Sequence, residues 1–391
     1  MARFISARLS SSNPDGRLSR KNNVVALVSV CVSFAVMVVA IAVVDGFKYE
    51  IRSKVTGFMG GVMLVNPGMP PVNEEYPFPG NLSYRDTLLQ IRGVESVNEV
   101  AYRSGLVKTD DKIEGLCFKG VEREGGDIND VEISESMARR LSLKVGDKMV
   151  VYFIGDDVKV RKFTISSLYN AQLDEIDGKF AIVDIRQVRR LNGWGNDDVS
   201  CLEIMVSSKA DIDAVERQVR DMEYLCSTDD DTPLFVTSAK KLYAHLFDWL
   251  ALLDLNVLMI LALMIIVAGF NMISAILIII FEKISMVGLL KSLGMTSKEV
   301  GKVFLHRSAS LIGKGLLIGN AAGIIISIVQ KYTRVLKLDS ANYFVDAVPI
   351  DLNIWKIIAV DAAAFALIIL IVSISTKVIS RISPDRTMKM E

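Results

Sequence analysis

Twenty-one consecutive residues, Val24 to Val44, carry no charge. A helix needs about 20 apolar residues to cross the roughly 30 Å hydrocarbon core of a bilayer. Leu255–Phe281 also meets that length, with Asn256 and Asn271 its most polar members. Two weaker runs follow: Ser310–Val329, which contains Lys314, and Ile357–Ile374, which contains Asp361. A mid-span charge costs roughly 2.5–3.5 kcal/mol, and each Leu, Ile, Val or Phe returns roughly 0.3–0.6 kcal/mol. Ser310–Val329 holds ten Leu, Ile and Val residues, so insertion wins narrowly. Lys314 lies near one end, where its stem can carry the ammonium to the interface. Asp361 lies near the start of its run. The chain is therefore expected to be an α-helical membrane protein with four transmembrane helices.

Lys and Arg flank these runs unevenly, and that bias sets topology. Residues 1–23 hold Arg3, Arg8, Arg17, Arg20 and Lys21. The segment after the second run holds Lys283, Lys291, Lys298, Lys302 and Arg307, and the tail holds Lys377, Arg381, Arg386 and Lys389. All three belong on the cytoplasmic side, with both termini. The short loop 330–354 falls outside although it carries Lys331, Arg334 and Lys337. The first run lacks an A-x-A cleavage site and is long for a signal peptide, so it reads as a retained anchor. The expected layout is a cytoplasmic segment 1–23, a first span 24–45, an outer domain 46–237, and a stalk with the second span 238–281. Then come a cytoplasmic loop 282–308, a third span 309–329, an outer loop 330–354, a fourth span 355–376 and a tail 377–391.

The outer domain is of mixed character. "GGVMLV" and "KMVVYFIG" read as strands, "SYRDTLLQI" and "DIDAVERQVRDM" as short amphipathic helices. "FAIVDIRQVRRL" reads as a strand running into a helix. "VNPGMPPVNEEYPFPGN" holds five of the nine prolines and must be loop. The result is a large α+β domain between the first and second spans. Little in it suggests catalysis. The phosphate-binding pattern G-x-x-x-x-G-K-[ST] does not occur, and His245 and His306 are the only histidines. Cys31 lies in the first span, and Cys117, Cys201 and Cys226 form neither a disulfide framework nor a zinc pattern. Asp174, Glu175 and Asp177 in "NAQLDEIDGKF" read as a solvated turn, because calcium-loop spacing is missing. Net charge is zero, so nothing points to nucleic acid.

Ser238 to Phe281 contains no proline and only Gly269. As one helix with Ser238 as N-cap, it would span roughly 65 Å at 1.5 Å per residue, about twice the hydrocarbon thickness. Leu242, Leu246, Trp249, Leu253 and Asn256/Val257 recur at three- and four-residue steps and form a packing stripe. Such a rod suits mechanical transmission better than tethering. Beyond it, "FEKISMVGLLKSLGMTSKEV" packs a short helix into a cytoplasmic loop. Met286, Leu289, Leu290 and Leu293 share one face, Gly294 can stop the helix, and Thr296 with Glu299 makes a capping box. An apolar face there must bury against a membrane surface or a partner.

"VAGFNMISAILIIIFEKISMVGLLKSLGMTSKEVGKVFLHRSAS" resembles the second span, coupling helix and third span of the FtsX-like/macrolide-exporter superfamily of ABC transporter permeases. It departs from that pattern at Ser285–Met286, where an acidic residue is common. "VEISESMARRLSLKVGDKMVVYF" resembles the family's periplasmic core domain. "VVDGFKYEIRSKVTGFMGGVMLVN", "LDSANYFVDAVPIDLN" and "ISPDRTMKME" resemble, in particular, the lipoprotein-releasing permeases of the LolC/LolE type. The resemblance implies a bacterial inner-membrane protein with no cofactor of its own and no enzymatic activity, two copies or paralogues of which sit on ATPase subunits that bind ATP and Mg2+. Glu282, Lys283, Met286, Val287, Leu289, Leu290, Lys291, Leu293, Gly294 and Met295 would couple to the ATPase. Val32, Val36, Met37 and Val43 on the first span, with Val257, Leu258, Leu261 and Ile265 on the second, would contact lipid or the acyl chains of a triacylated lipoprotein. ATP-driven closure would move the stalks and pass the cargo to a periplasmic carrier. In one paralogue a hairpin grips the carrier; here the matching "YFIGDDVKVRKFTI" turns at Gly155–Asp157 with little room for a hook. Gly315, Gly319 and Gly323 form G-x-x-x-G-x-x-x-G on one face of the third span, which lets helices approach closely.

Two other roles fit the layout. One is efflux of a different cargo, although the 23 leading residues hold no fused ATPase. The other is a signalling permease that activates a cell-wall hydrolase, against which the LolC/LolE-like outer loop and first-span exit weigh.

Overall fold

The structure is a computed structural model that describes residues 17–109, 112–123, 125–155, 157–226, 233–282, 284–339 and 343–379. The chain divides into two compact units, one of residues 1–47, 250–336 and 348–391, the other of residues 48–249 and 337–347.

In chain order, α1 (Arg17–Met59) leads into β1 (Val62–Val65), β2 (Phe78–Pro79), α2 (Arg85–Leu88), β3 (Val94–Lys108) and β4 (Ile113–Val121). Next come β5 (Asp130–Ser134), α3 (Glu135–Leu141), β6 (Lys148–Phe153), β7 (Lys159–Tyr169), α4 (Asp174–Asp177), β8 (Phe180–Asp184) and α5 (Ile185–Asn192). Then β9 (Asp198–Val199), β10 (Cys201–Val206), α6 (Ile212–Cys226), β11 (Phe235–Ser238) and α7 (Ala239–Leu242) close the α+β region. The remainder is helical: α8 (Ala244–Glu282), α9 (Ile284–Ser292), α10 (Ser297–Thr333) and α11 (Ile354–Ile379).

The α+β unit is organised by one long strand. The first half of β3 pairs with β10, and its second half pairs with β4 and, at Leu106↔Tyr152, with β6. Strands β3, β4, β8, β5, β7 and β6 thereby close into a ring, while β11, β1 and β10 extend from β3 as a sheet. Ring closure leaves fewer backbone edges to protect. Inside the ring Phe118 stacks on Phe163 at 5.5 Å and meets Phe153 edge-on at 5.1 Å. Period-two alternation sends Leu202 and Ile204 of β10 to a core under α6, and sends Cys201 and Glu203 to the opposite face.

Differences from the sequence expectations have local causes. The helix in "SYRDTLLQI" is one turn, Arg85–Leu88. "NAQLDEIDGKF" is no solvated turn: Asp177 is buried and its carboxylate accepts the Ala171 N–H at 3.0 Å. Burial raises the Asp177 pKa, partly offset by such backbone donors. The stalk is not one helix from Ser238. Ser238 pairs with Val62 as the end of β11, and its hydroxyl has no partner. The helix then breaks at Tyr243 (φ −109°, ψ 42°), whose buried hydroxyl donates to Met59 Sδ at 3.0 Å.

Among its described residues, the other unit holds the greater part of four helices long and apolar enough to cross a membrane. Its core joins Val30 and Phe34 of α1, Ala268 and Met272 of α8, Leu311 and Ile312 of α10, and Ala364 and Ile368 of α11.

Candidate functional site

The loop between α8 and α10 is built with unusual definition. Helix α8 ends at Glu282; Lys283 lies outside the described residues, as does the side chain of Ser285. Helix α9 closes in a Schellman arrangement: Gly294 N–H donates to Lys291 O at 3.0 Å, and Met295 N–H to Leu290 O at 3.0 Å. Gly294 takes φ +91°, a conformation that a side chain would strain. Thr296 then caps α10, its N–H donating to Glu299 Oε2 at 2.9 Å while Glu299 N–H donates back to Thr296 Oγ1 at 3.4 Å. Between these two locks Leu289 and Leu293 stand 60% and 74% exposed. Met286, Val287, Leu290, Lys291 and Met295 are half-buried, and Gly294 is exposed. A fixed turn thus presents two bare leucines.

The glycine row of α10 faces α1. A Cβ at Gly315 would lie 2.6 Å from Val30 Cγ1, at Gly319 2.5 Å from Cys31 O, and at Gly323 2.9 Å from Ala35 O. Gly313, on another face, would meet nothing within 4 Å. Lys314 is exposed, and Asp361 is buried on α11, where its Oδ2 accepts from Asn320 Nδ2 at 2.5 Å. Asn271 of α8 donates to Ser29 Oγ of α1.

The eight residues expected to face lipid or acyl chains do not form one surface. Val32 and Leu258 are exposed; Val36, Val43, Leu261 and Ile265 are half-buried. Met37 is buried in the bundle core, on the side of α1 that packs against the other helices, and Val257 is buried as well. Leu258 lies among the exposed residues of α8, with Leu255, Met259, Leu263, Ile266 and Phe270.

Sequence reasoning missed the joint where α1 leaves this bundle. A Cβ at Gly46 would lie 2.4 Å from Pro349 O and 2.7 Å from Ile350 N, so the backbone before α11 crosses directly on this glycine. Asp351 N–H donates to Ala42 O at 3.0 Å, and Lys356 Nζ pairs with Asp45 Oδ1 at 2.5 Å. The signal was the Asp–Gly of "VVDGF", unusual at the end of an apolar run. In the α+β unit, no group of three or more potential metal ligands occurs among the described residues. The hairpin β6–β7 pairs out to Phe153↔Lys159; its tip includes Asp156, outside the described residues.

These features define a multi-pass membrane protein with a large α+β domain between its first and second spans. A model of the MacB-like periplasmic core domain matches residues 24–222, and one of the FtsX-like permease C-terminal region matches residues 258–384. The chain belongs to the FtsX-like permeases that carry a MacB-like periplasmic domain, the permease subunits of ABC transporters. Among its relatives are the lipoprotein-releasing system transmembrane protein LolC of Xylella fastidiosa, 22% identical over 86% of this chain and 84% of that one. The lipoprotein-releasing system transmembrane protein LolE of Haemophilus influenzae is 21% identical over 90% of this chain and 91% of its own length. The crystal structure of the periplasmic region of MacB from Actinobacillus actinomycetemcomitans aligns with a TM-score of 0.31 at 13% identity, covering 47% of this chain and 91% of that one.

Proposed function

We propose that the chain is the permease subunit of an ATP-driven transporter that extracts lipoproteins from the bacterial inner membrane and hands them to a periplasmic carrier. Relatives named for lipoprotein release, matched along most of their length, support this reading. The observation that carries the mechanism is the pair Leu289 and Leu293, bare on a helix fixed by a Schellman turn and a capping box. An apolar knob on a rigid mount suits docking into a groove of a separate ATPase subunit, which would bind ATP and Mg2+. The termini and this loop would then be cytoplasmic and the α+β domain periplasmic. A second copy or a paralogue would complete the bundle, and the bare side of α8 would face lipid or the acyl chains of the cargo. The test is reconstitution with the ATPase in proteoliposomes loaded with a triacylated lipoprotein. Release to a soluble carrier should require ATP. ATP-dependent efflux of a small amphiphile with no lipoprotein release would replace this reading.

A further inference from the structure

Two strands that should be apolar carry a charge. "GLCFKGV" places Lys119 in β4, and "CLEIMV" places Glu203 in β10. Both side chains are buried, 5% and 2% exposed, and Lys119 Nζ meets Glu203 Oε2 at 2.8 Å. Tyr102 of β3, opposite Lys119 in register, donates its hydroxyl to Glu203 Oε1 at 2.9 Å. Burial, and then the Glu203 charge, push the Tyr102 phenol well above its ordinary pKa, so it remains a donor.

A buried ion pair contributes little net stability, since desolvation opposes the attraction. This one has a second contact. Lys119 Nζ also donates to the carbonyl of Phe58 and lies 4.6 Å from the centroid of the Phe58 ring. Phe58 is in the last turn of α1, where four carbonyls have no partner within the helix and the dipole end is negative. The ammonium therefore joins the end of α1 to β4 and, through Glu203 and Tyr102, to β10 and β3. These strands are the junction of sheet and ring. The helix cannot slide or rotate there without stranding a buried charge. A cavity of about 450 Å³ lies beside Gly57, Phe58, Lys119 and Glu203, while the other side of this turn packs through Val55, Met59 and the Phe58 ring against Tyr169 and Phe180.

We propose that Lys119 is a positioning residue that locks the end of the first helix to the central strands, so that movement of that helix is delivered to the α+β domain. The lock rests on the proposed transport function; its presence can be measured without it.

The experiment compares Lys119→Met, the charge-free triple variant Lys119→Met/Glu203→Leu/Tyr102→Phe, and Glu203→Gln. In proteoliposomes with the ATPase, the first two should keep ATP turnover and lose at least fivefold in lipoprotein released per ATP. Glu203→Gln keeps the Lys119–Phe58 contact but removes the carboxylate that pairs with the ammonium, so the ratio should fall less than in Lys119→Met. Amide exchange in the detergent-solubilised full chain alone should quicken at least tenfold over residues 55–59 in the triple variant. A folded triple variant with normal release per ATP overturns the proposal. So does a triple variant that does not fold, since the charges would then serve stability, and so does Glu203→Gln falling as far as Lys119→Met. If the wild-type complex releases no lipoprotein yet the exchange responds, the lock stands and the cargo assignment fails.

Discussion

Two long helices cross the boundary between the units, and they are built in opposite ways. Helix α1 keeps a buried side from Val30 to Met59: Val30, Phe34, Met37, Val38 and Ile41 in the bundle, Ile51, Val55 and Met59 in the α+β unit. It is gripped at Gly46 by the Pro349 backbone and at Phe58 by Lys119. Helix α8 is detached from α7 by the Tyr243 break and leaves Leu252, Leu255, Leu258, Met259, Leu263, Ile266 and Phe270 bare. A helix that transmits displacement needs fixed ends; one that receives a partner or a lipid needs an open side. On that basis the transmission we propose would run through α1, with α8 as the receiving surface, although the uninterrupted apolar length of α8 makes it look like the rod.

The largest expected effect removes the input to both helices. Leu293→Glu, or Leu290→Glu, places a charge on the bare face of α9, where burial in an apolar groove would leave it unpaired. Co-purification with the ATPase should fall at least a hundredfold while the chain still inserts. Normal recovery of ATPase would show that α9 is not the docking element.

The next effect tests how firmly α1 is held. Gly319→Leu drives a side chain into Cys31 O and Phe34, and overpacking of this kind costs about 1–3 kcal/mol or more. Gly313→Leu on the same helix meets open space and is the control. The thermal unfolding midpoint in detergent should drop several degrees in the first and hold in the second. Equal midpoints would mean that α10 does not clamp α1.

Paired prolines address the comparison directly. Tyr49 on α1 and Ala251 on α8 are both exposed, so substitution changes mainly the backbone. A proline inside a helix costs about 3 kcal/mol and kinks or breaks it. Lipoprotein release per ATP should fall about tenfold in Tyr49→Pro and about threefold in Ala251→Pro, with ATPase binding intact in both. The reverse order would return the role of rod to α8.

What the sequence shows of this plan follows from range. The spans, the Thr296–Glu299 box, the Gly294 stop and the glycine row rest on contacts within a few residues, or on a face set by helical period, and are legible as pattern. The course of α1 past Asp45 is not: Lys48, Glu50, Arg52 and Lys54 look like an exit from the membrane, yet the helix continues to Met59. The buried tyrosine at the Tyr243 break finds its partner, a sulfur, 184 residues away. The closure of β3 on β6 and the meeting of Lys119 with Glu203 are likewise decided by pairings far apart in sequence. Each charge in an apolar strand was visible; its partner was not.

The smallest effect concerns a residue that touches both helices. Phe344 sits in the left-handed region at φ +60°. Its carbonyl accepts from Lys54 Nζ of α1 at 2.8 Å, and its ring meets Trp249 of α8 edge-on at 6.2 Å. An aromatic pair of this kind contributes about 0.5–1.5 kcal/mol beyond its burial. A left-handed conformation costs a side-chain-bearing residue about 1–2 kcal/mol, a penalty that glycine escapes. Phe344→Ala loses the ring and keeps the strain; Phe344→Gly loses the ring and sheds it. The glycine variant should therefore be the more stable of the two by about 1 kcal/mol, read from denaturation midpoints in detergent. Both variants keep the carbonyl that α1 uses and lose the ring that α8 uses. If α1 transmits, release per ATP should be near normal in both. A loss of coupling in Phe344→Gly at preserved stability would place the working contact on Trp249 and hence on α8.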